Sequence, residues 1–147
     1  MKVLLAIDGS PHSDAAATEV GRRPWPPQTE VRVITVDPPL DGDLLRSGAP
    51  TAFDELVRQQ RHEAEKHLAQ QLTRLRNAAP TLQVTGFLRE GFPKEVILYE
   101  ADQWGADLIV VGSHGKGAIR RLFLGSVSLA VATNALCSVE IVRLPAG

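Results

Sequence analysis

The chain is short of the residues that staple, stack or carry charge in bulk: one cysteine, one tyrosine, two tryptophans, four phenylalanines and a formal net charge of −1. A single thiol, Cys137, cannot close an internal disulfide, so no disulfide framework holds the fold, which fits a reducing compartment. No basic residue stands near Cys137 in sequence to activate it, and it reads as a small core residue. Trp25, Phe92 and Trp104 are too scattered to make a base-stacking platform. Near-neutral charge removes the basic face of an electrostatic nucleic-acid binder, although Lys116, Arg120 and Arg121 form a local cluster. No stretch approaches the roughly 18 apolar residues of a membrane span. The N-terminal run Val3–Ile7 is stopped by Asp8 and is too short for a signal-peptide core. A cytoplasmic protein with no nucleic-acid and no membrane partner is expected.

What remains is ordinary globular material. The 147 residues are 44% hydrophobic and 22% charged, enough for one domain over 1–147 with a sizeable core. Short apolar runs alternate with helical patterns. Strands are expected at Lys2–Ile7, Val31–Val36, Leu82–Leu88, Asp107–Val111 and Val139–Val142. Helices are expected at Pro11–Arg23, Phe53–Ala79, Pro93 to about Trp104, and Ser126–Asn134. The long helix carries Phe53, Leu56, Val57, Ala64, Leu68, Leu72 and Leu75 on one stripe. Asp37–Thr51, rich in proline and glycine, reads as a loop. The order β-α-β-α-β-α-β-α-β implies an α/β fold, a five-stranded parallel sheet with helices on both faces, Rossmann-like. Ligands of such sheets sit beyond the C-terminal strand ends, where strand order reverses. Asp8-Gly9-Ser10, Val36-Asp37 and Gly112–Gly115 fall at such ends.

The segment that carries most chemistry is Leu108-Ile109-Val110-Val111-Gly112-Ser113-His114-Gly115, followed nine residues later by Gly125-Ser126-Val127-Ser128. Gly112 and Gly115 suit a turn that side chains would obstruct. Gly125 suits a close approach of backbone to ligand, and a helix opening at Ser126 offers N–H groups to an anion. It is not a Walker A loop, because Gly117 follows Gly115-Lys116 where Ser or Thr is needed. It is not G-x-G-x-x-G, because Gly115-Lys116-Gly117 leads to Arg120.

Other residues leave alternatives open. Asp8 in Asp-Gly-Ser-Pro is good turn chemistry and also a candidate for the pocket. Lys116, Arg120 and Arg121 suit either a polyphosphate or a solvated face. His114 suits a phosphate contact or an exposed loop. His62 and His67 are five apart, not the four of H-E-x-x-H, so they read as a solvated helix face rather than a zinc site. Ser10, His12 and Asp14 crowd one turn too closely to form a nucleophile, base and orienter, and no G-x-S-x-G elbow exists. The last strand, Val139–Val142, is a candidate pairing edge unless Glu140 and Arg143 blunt it.

The spacing Gly112-x-x-Gly115, nine residues, Gly125-Ser126 resembles the nucleotide signature of the ATP-binding universal stress proteins. The likeness extends through Val3-Leu4-Leu5-Ala6-Ile7-Asp8-Gly9-Ser10, Val33–Pro38 and Leu122–Ser128, so it spans nearly the whole chain. Asn134 and Ser138 stand where the family often has His and Pro. The resemblance implies that Asp8 lies near the adenosine and that Val36 offers its backbone to the adenine edge. It further implies that Gly112 and Gly115 pass beneath ribose and phosphates, and that Gly125, Ser126, Val127 and Ser128 hold the phosphates. Ala6, small enough to leave room, Val111 and Lys116 complete the expected site. ATP with Mg²⁺ or Mn²⁺ is the implied ligand, and a homodimer through Val139–Val142 the implied assembly. The expected role is regulation in a stress response through nucleotide-dependent changes. A slow ATPase or nucleotide hydrolase, or a nucleotide-free dimeric adaptor, is the alternative.

Overall fold

The computed structural model describes residues 1–40, 42–43, 50–115 and 124–145. Among them, nine elements alternate. They are β1 (Lys2–Ile7), α1 (Pro11–Arg22), β2 (Glu30–Asp37), α2 (Pro50–Ala78), β3 (Gln83–Glu90), α3 (Pro93–Trp104), β4 (Leu108–Gly112), α4 (Ser126–Asn134) and β5 (Ser138–Val142). All strands are parallel, in the order β3-β2-β1-β4-β5. The expected α/β sheet is therefore present. The chain steps outward from β1 to β3, then crosses back to β4 on the other side of β1. That reversal opens a crevice at the C-terminal ends of β1 and β4.

Central strands β1 and β4 are apolar on both faces because both faces are covered. Val3, Leu5 and Ile7 pack with Val20, Val31, Val33, Leu68 and Leu75 beneath α1 and α2. Leu4 and Ala6 pack with Ile34, Ile97, Ile109 and Val131 beneath α3 and α4. The alternation along β1 thus assigns successive residues to opposite cores. No helix among the described residues is long and apolar enough to cross a membrane.

Two expectations about the long helix change. Pro50 and Thr51 belong to α2, not to the preceding loop: a proline opening a helix loses no intrahelical bond and has its φ preset. The remaining loop residues, 41 and 44–49, lie outside the described residues. The apolar stripe also does not bury along its whole length. Leu68 and Leu75 are in the core, but Leu56 and Val57 are exposed at 42% and 38%. The cause is length. A helix of 29 residues is about 40 Å long, whereas an eight-residue strand spans about 27 Å. The first turns of α2 overhang the C-terminal edge of the sheet and wall the crevice.

Away from the crevice, α3 is held to the sheet by charge. Glu100 accepts from Arg89 Nε at 3.1 Å and from Arg32 Nη1 at 2.9 Å. The Arg32 guanidinium lies over Trp104 and Phe87 at 4.3 and 5.0 Å from the ring centres. Hydrogen bonding by Arg89 outweighs burial and holds the Glu100 carboxyl below its ordinary pKa, with Arg32 adding to the effect. A depressed folded-state pKa contributes stability that is present above the ordinary glutamate range and lost as pH falls through the folded value. Glu100→Ala should lower stability by about 3 kcal/mol, because it strands two cations. Urea titrations from neutral to acid pH should show the wild type losing stability through this step, and Glu100→Gln should lack the step.

Candidate functional site

The site begins with a turn. Gly9 has φ 81°, a left-handed conformation that glycine adopts without penalty. It swings the chain from β1 into α1, and Asp8 Oδ1 accepts from Ser10 N at 2.9 Å. Ser10 caps α1, its Oγ accepting from Ser13 N at 3.2 Å, and donates to the His114 carbonyl at 3.3 Å. Asp8 therefore shapes the turn and also lines the cleft. His12 and Asp14 diverge from Ser10: His12 Nδ1 meets Ser113 Oγ, while Asp14 Oδ1 meets His67 Nε2 and accepts from Gln71 Nε2.

The glycines of the second loop work differently from expectation. Neither Gly112 nor Gly115 has positive φ, so the turn does not demand glycine for conformational reasons. Proximity accounts for them instead, against fixed backbone at Gly112 and against the end of a side chain at Gly115. A Cβ at Gly112 would lie 2.6 Å from the His12 backbone carbonyl carbon and 2.8 Å from Ser13 N. The first turn of α1 occupies that space. A Cβ at Gly115 would stand 2.6 Å from Asp8 Oδ2, so Gly115 makes room for the Asp8 carboxylate. At Gly125 a Cβ would press the same loop, 3.3 Å from His114 Cα and from Ser113 O.

Helix α4 starts at this loop. Gly125 is its N-cap and has no side chain to satisfy the first-turn N–H groups, which are left to a ligand or solvent. Gly125 N donates to Ser113 O at 2.8 Å. The Ser128 hydroxyl donates to Ser113 O at 2.8 Å and lies 3.0 Å from Gly125 O, so it braces the loop against the helix. Ser126 stands exposed at the first helical position.

These parts converge on one cleft of about 660 Å³. Ala6, Asp8, Val36, Val111, Gly112, Gly115, Gly125, Ser126, Val127 and Ser128 all line it. Lys116, with Arg120 and Arg121, lies outside the described residues. One side is an apolar slot between Ala6, Ile34, Val36, Ile97, Val111 and Val127. At its end β2 outruns β1, whose last register pair is Ile7–Thr35. The Asp37 carbonyl turns toward β3 and accepts from Gly91 N at 3.1 Å. Strand alternation therefore sets the Val36 carbonyl on the β1 side, past the last β1 partner.

The opposite wall was not apparent from sequence. It is the overhang of α2, contributing Gln60, Glu63, Ala64 and His67. His67, expected on a solvated face, is partly buried and bonds Asp14 Oδ1 at 3.0 Å; His62 remains exposed. Gln60, Ala64 and His67 fall at the spacing of one helix face, the only sequence sign of this wall. His114 is 7% exposed rather than a solvated loop residue. Its Nε2, the Thr35 Oγ1 and the His67 Nδ1 are buried without a hydrogen-bond partner among the described residues, and all three residues line the cleft. Such atoms cost about 1–3 kcal/mol each when left unpaired.

The lining among the described residues has three carboxylates, Asp8, Asp37 and Glu63, and no lysine or arginine. No group of three or more histidine, cysteine or acidic side chains among the described residues could hold a metal ion. Cys137 is partly buried beside α4 rather than fully in the core; burial pushes its thiol pKa up, which keeps it unreactive.

Comparison with known proteins gives a consistent answer. Residues 1–143 match the model of the Universal stress protein family. A Thermus aquaticus protein named for that family is 35% identical over 147 residues, covering 96% of this chain and 97% of its own. The solved protein MJ0577 superposes with a TM-score of 0.84 at 24% identity, covering 99% of this chain and 97% of that one. An Arabidopsis thaliana universal stress protein family protein, solved with AMP bound, superposes with a TM-score of 0.72 at 18% identity, covering 99% and 93%. At these identities the structural likeness is one of fold.

The packing at Gly112 is directly testable. Gly112→Ala should destabilise the protein by about 1–3 kcal/mol, because the added methyl meets backbone and not a movable side chain. Equilibrium urea unfolding measures this, and an unchanged midpoint would refute the close approach of α1 to β4.

Proposed function

The chain belongs to the universal stress protein family, and from that membership we propose that it is an ATP-binding regulator whose cleft takes the whole nucleotide. The observation that carries this reading is the union, across the strand-order reversal, of an apolar slot with an uncapped helix N-terminus. The slot between Ile34, Val36, Ile97 and Val127 suits a purine. The Val36 carbonyl is an acceptor, as the exocyclic amine of adenine requires. Asp8 suits ribose hydroxyls. Gly115 and Gly125 keep the loop thin enough for phosphates to reach the N–H groups of Ser126 and Val127.

The acidic lining bears on the cation. Asp37 and Glu63 in the lining oppose a bare triphosphate. Mg²⁺ or Mn²⁺ fits this setting, since such ions need only one or two carboxylates beside the phosphates. Bound there, the ion supplies neutralising charge. Occupancy then regulates by stabilising one arrangement of the surrounding loops over another, which a ligand achieves only through unequal affinity for the two.

The assembly is a homodimer through β5. Glu140 does not blunt this edge: its carboxylate accepts twice from Arg23 of the same chain, at 2.6 Å each. Nearby Leu136 is 89% exposed, apolar surface that a second copy would cover.

Calorimetry tests the nucleotide reading. ATP should bind at least about tenfold more tightly with Mg²⁺ than with chelator, while adenosine binding should ignore the cation. Gly125→Ala should weaken ATP binding with little loss of fold, because its methyl pushes on the Ser113–Gly115 loop. Unchanged ATP affinity in that variant refutes the phosphate placement, and no adenine-nucleotide binding by the wild type refutes the function. Separately, removing the residues from Val139 onward should give monomers or insoluble protein; a well-behaved dimer refutes the β5 interface.

A further inference from the structure

Ser113 Oγ lies between two imidazoles, 3.0 Å from His12 Nδ1 and 3.1 Å from His114 Nδ1. The rings themselves are 5.0 Å apart. A hydroxyl has one hydrogen, and a neutral imidazole has one N–H. Burial, and then the neighbouring His114, hold His12 below the ordinary histidine pKa, so it is neutral near pH 7. Ser113 is 1% exposed, and two arrangements satisfy it. Either its hydrogen goes to His114 Nδ1 and His12 donates back, or the reverse.

The two arrangements differ at Nε2 of His114, a residue that lines the cleft. In the first, His114 carries its proton on Nε2, the buried atom that has no partner among the described residues. In the second, Nε2 is a bare acceptor and would repel an anion. His12 is only partly buried and is the end that adjusts. His114 also stands against the first turn of α4, where Gly125 N and Ser128 Oγ both bind the Ser113 carbonyl.

We infer that His114 is a ligand-contact residue, its Nε2–H donating to a phosphoryl oxygen seated at the start of α4, in a tautomer held by Ser113 and His12. This rests on the nucleotide reading for its ligand, but the phosphoryl subsite is separable from the adenine slot. Ser113 and His12 are positioning residues and do not touch the ligand.

The experiment uses ATP, adenosine and inorganic pyrophosphate as probes of wild type, His114→Phe, His114→Gln and Ser113→Ala. His114→Phe should lose about tenfold or more in affinity for ATP and pyrophosphate and almost nothing for adenosine. Glutamine, whose amide can place an N–H near Nε2, should restore most of the loss. Long-range ¹H–¹⁵N spectra of the wild-type pyrophosphate complex should put the His114 proton on Nε2, and Ser113→Ala should shift protonation toward Nδ1 and weaken both anions. The spectra use unaltered protein, so they decide the matter even where a variant fails to fold. A bare Nε2 in that complex, or equal losses for ATP and adenosine in His114→Phe, overturns the proposal. Pyrophosphate bound through His114 without any adenine affinity keeps this subsite and removes the adenine reading. Adenosine and ATP bound equally, with His114 unmoved, does the opposite; no binding of any probe removes both.

Discussion

The first turn of α1 lies where the side chain of residue 112 would be. β1 and β4 are already paired in the sheet, and that one close approach lets the turn after β1 and the loop after β4 meet. Ser10 then reaches the His114 carbonyl, His12 reaches Ser113, and Gly115 faces the Asp8 carboxylate. A methyl group at 112 would drive α1 off the sheet and separate these pairs together. The order β3-β2-β1-β4-β5 creates a crevice in any sheet of this kind. The absence of a side chain at 112 narrows it into a site with defined walls.

On the face of the sheet covered by α3, charge supplies rigidity rather than chemistry. There the Arg32–Glu100–Arg89 cluster and the rings of Phe87 and Trp104 fasten α3 across β2 and β3. Partly buried ion pairs are weak sources of net stability, because desolvation offsets attraction. Their geometry is nevertheless specific: Glu100 accepts from both arginines only in one register of α3. Since Pro93 and Ile97 at the start of α3 form part of the cleft, fixing that register fixes the width of the apolar slot.

The fold was largely legible because its signals are local. Continuous apolar runs marked β1 and β4, prolines marked helix starts, and the alternation of elements dictated a parallel sheet. The strand-end residues of the cleft were legible for the same reason: topology states where strands end before any contact is known. The α2 wall was not legible. Gln60, Glu63 and His67 look like solvated helix positions, and only the mismatch between helix length and strand length turns them toward the crevice. Nor did the glycines disclose their reason. A tolerance for unusual φ and a need for empty space look identical in sequence, and at Gly112 and Gly115 the second applies.

Three of the four buried side-chain polar atoms that have no partner among the described residues belong to the cleft: Thr35 Oγ1, His67 Nδ1 and His114 Nε2. The fourth, Arg32 Nε, sits in the ion cluster. Elsewhere the buried side-chain polar atoms of the described residues have partners, as folded proteins require. Concentrating the exceptions in one place has a consequence for recognition. A site whose buried donors and acceptors await partners discriminates strongly against ligands that lack the matching groups, far more than an apolar slot can discriminate by shape. The apolar residues around Val36 can accept many flat rings. The polar residues at the ends of β2 and β4 are fixed by packing that does not depend on any ligand, and under the proposed function they would supply the selectivity.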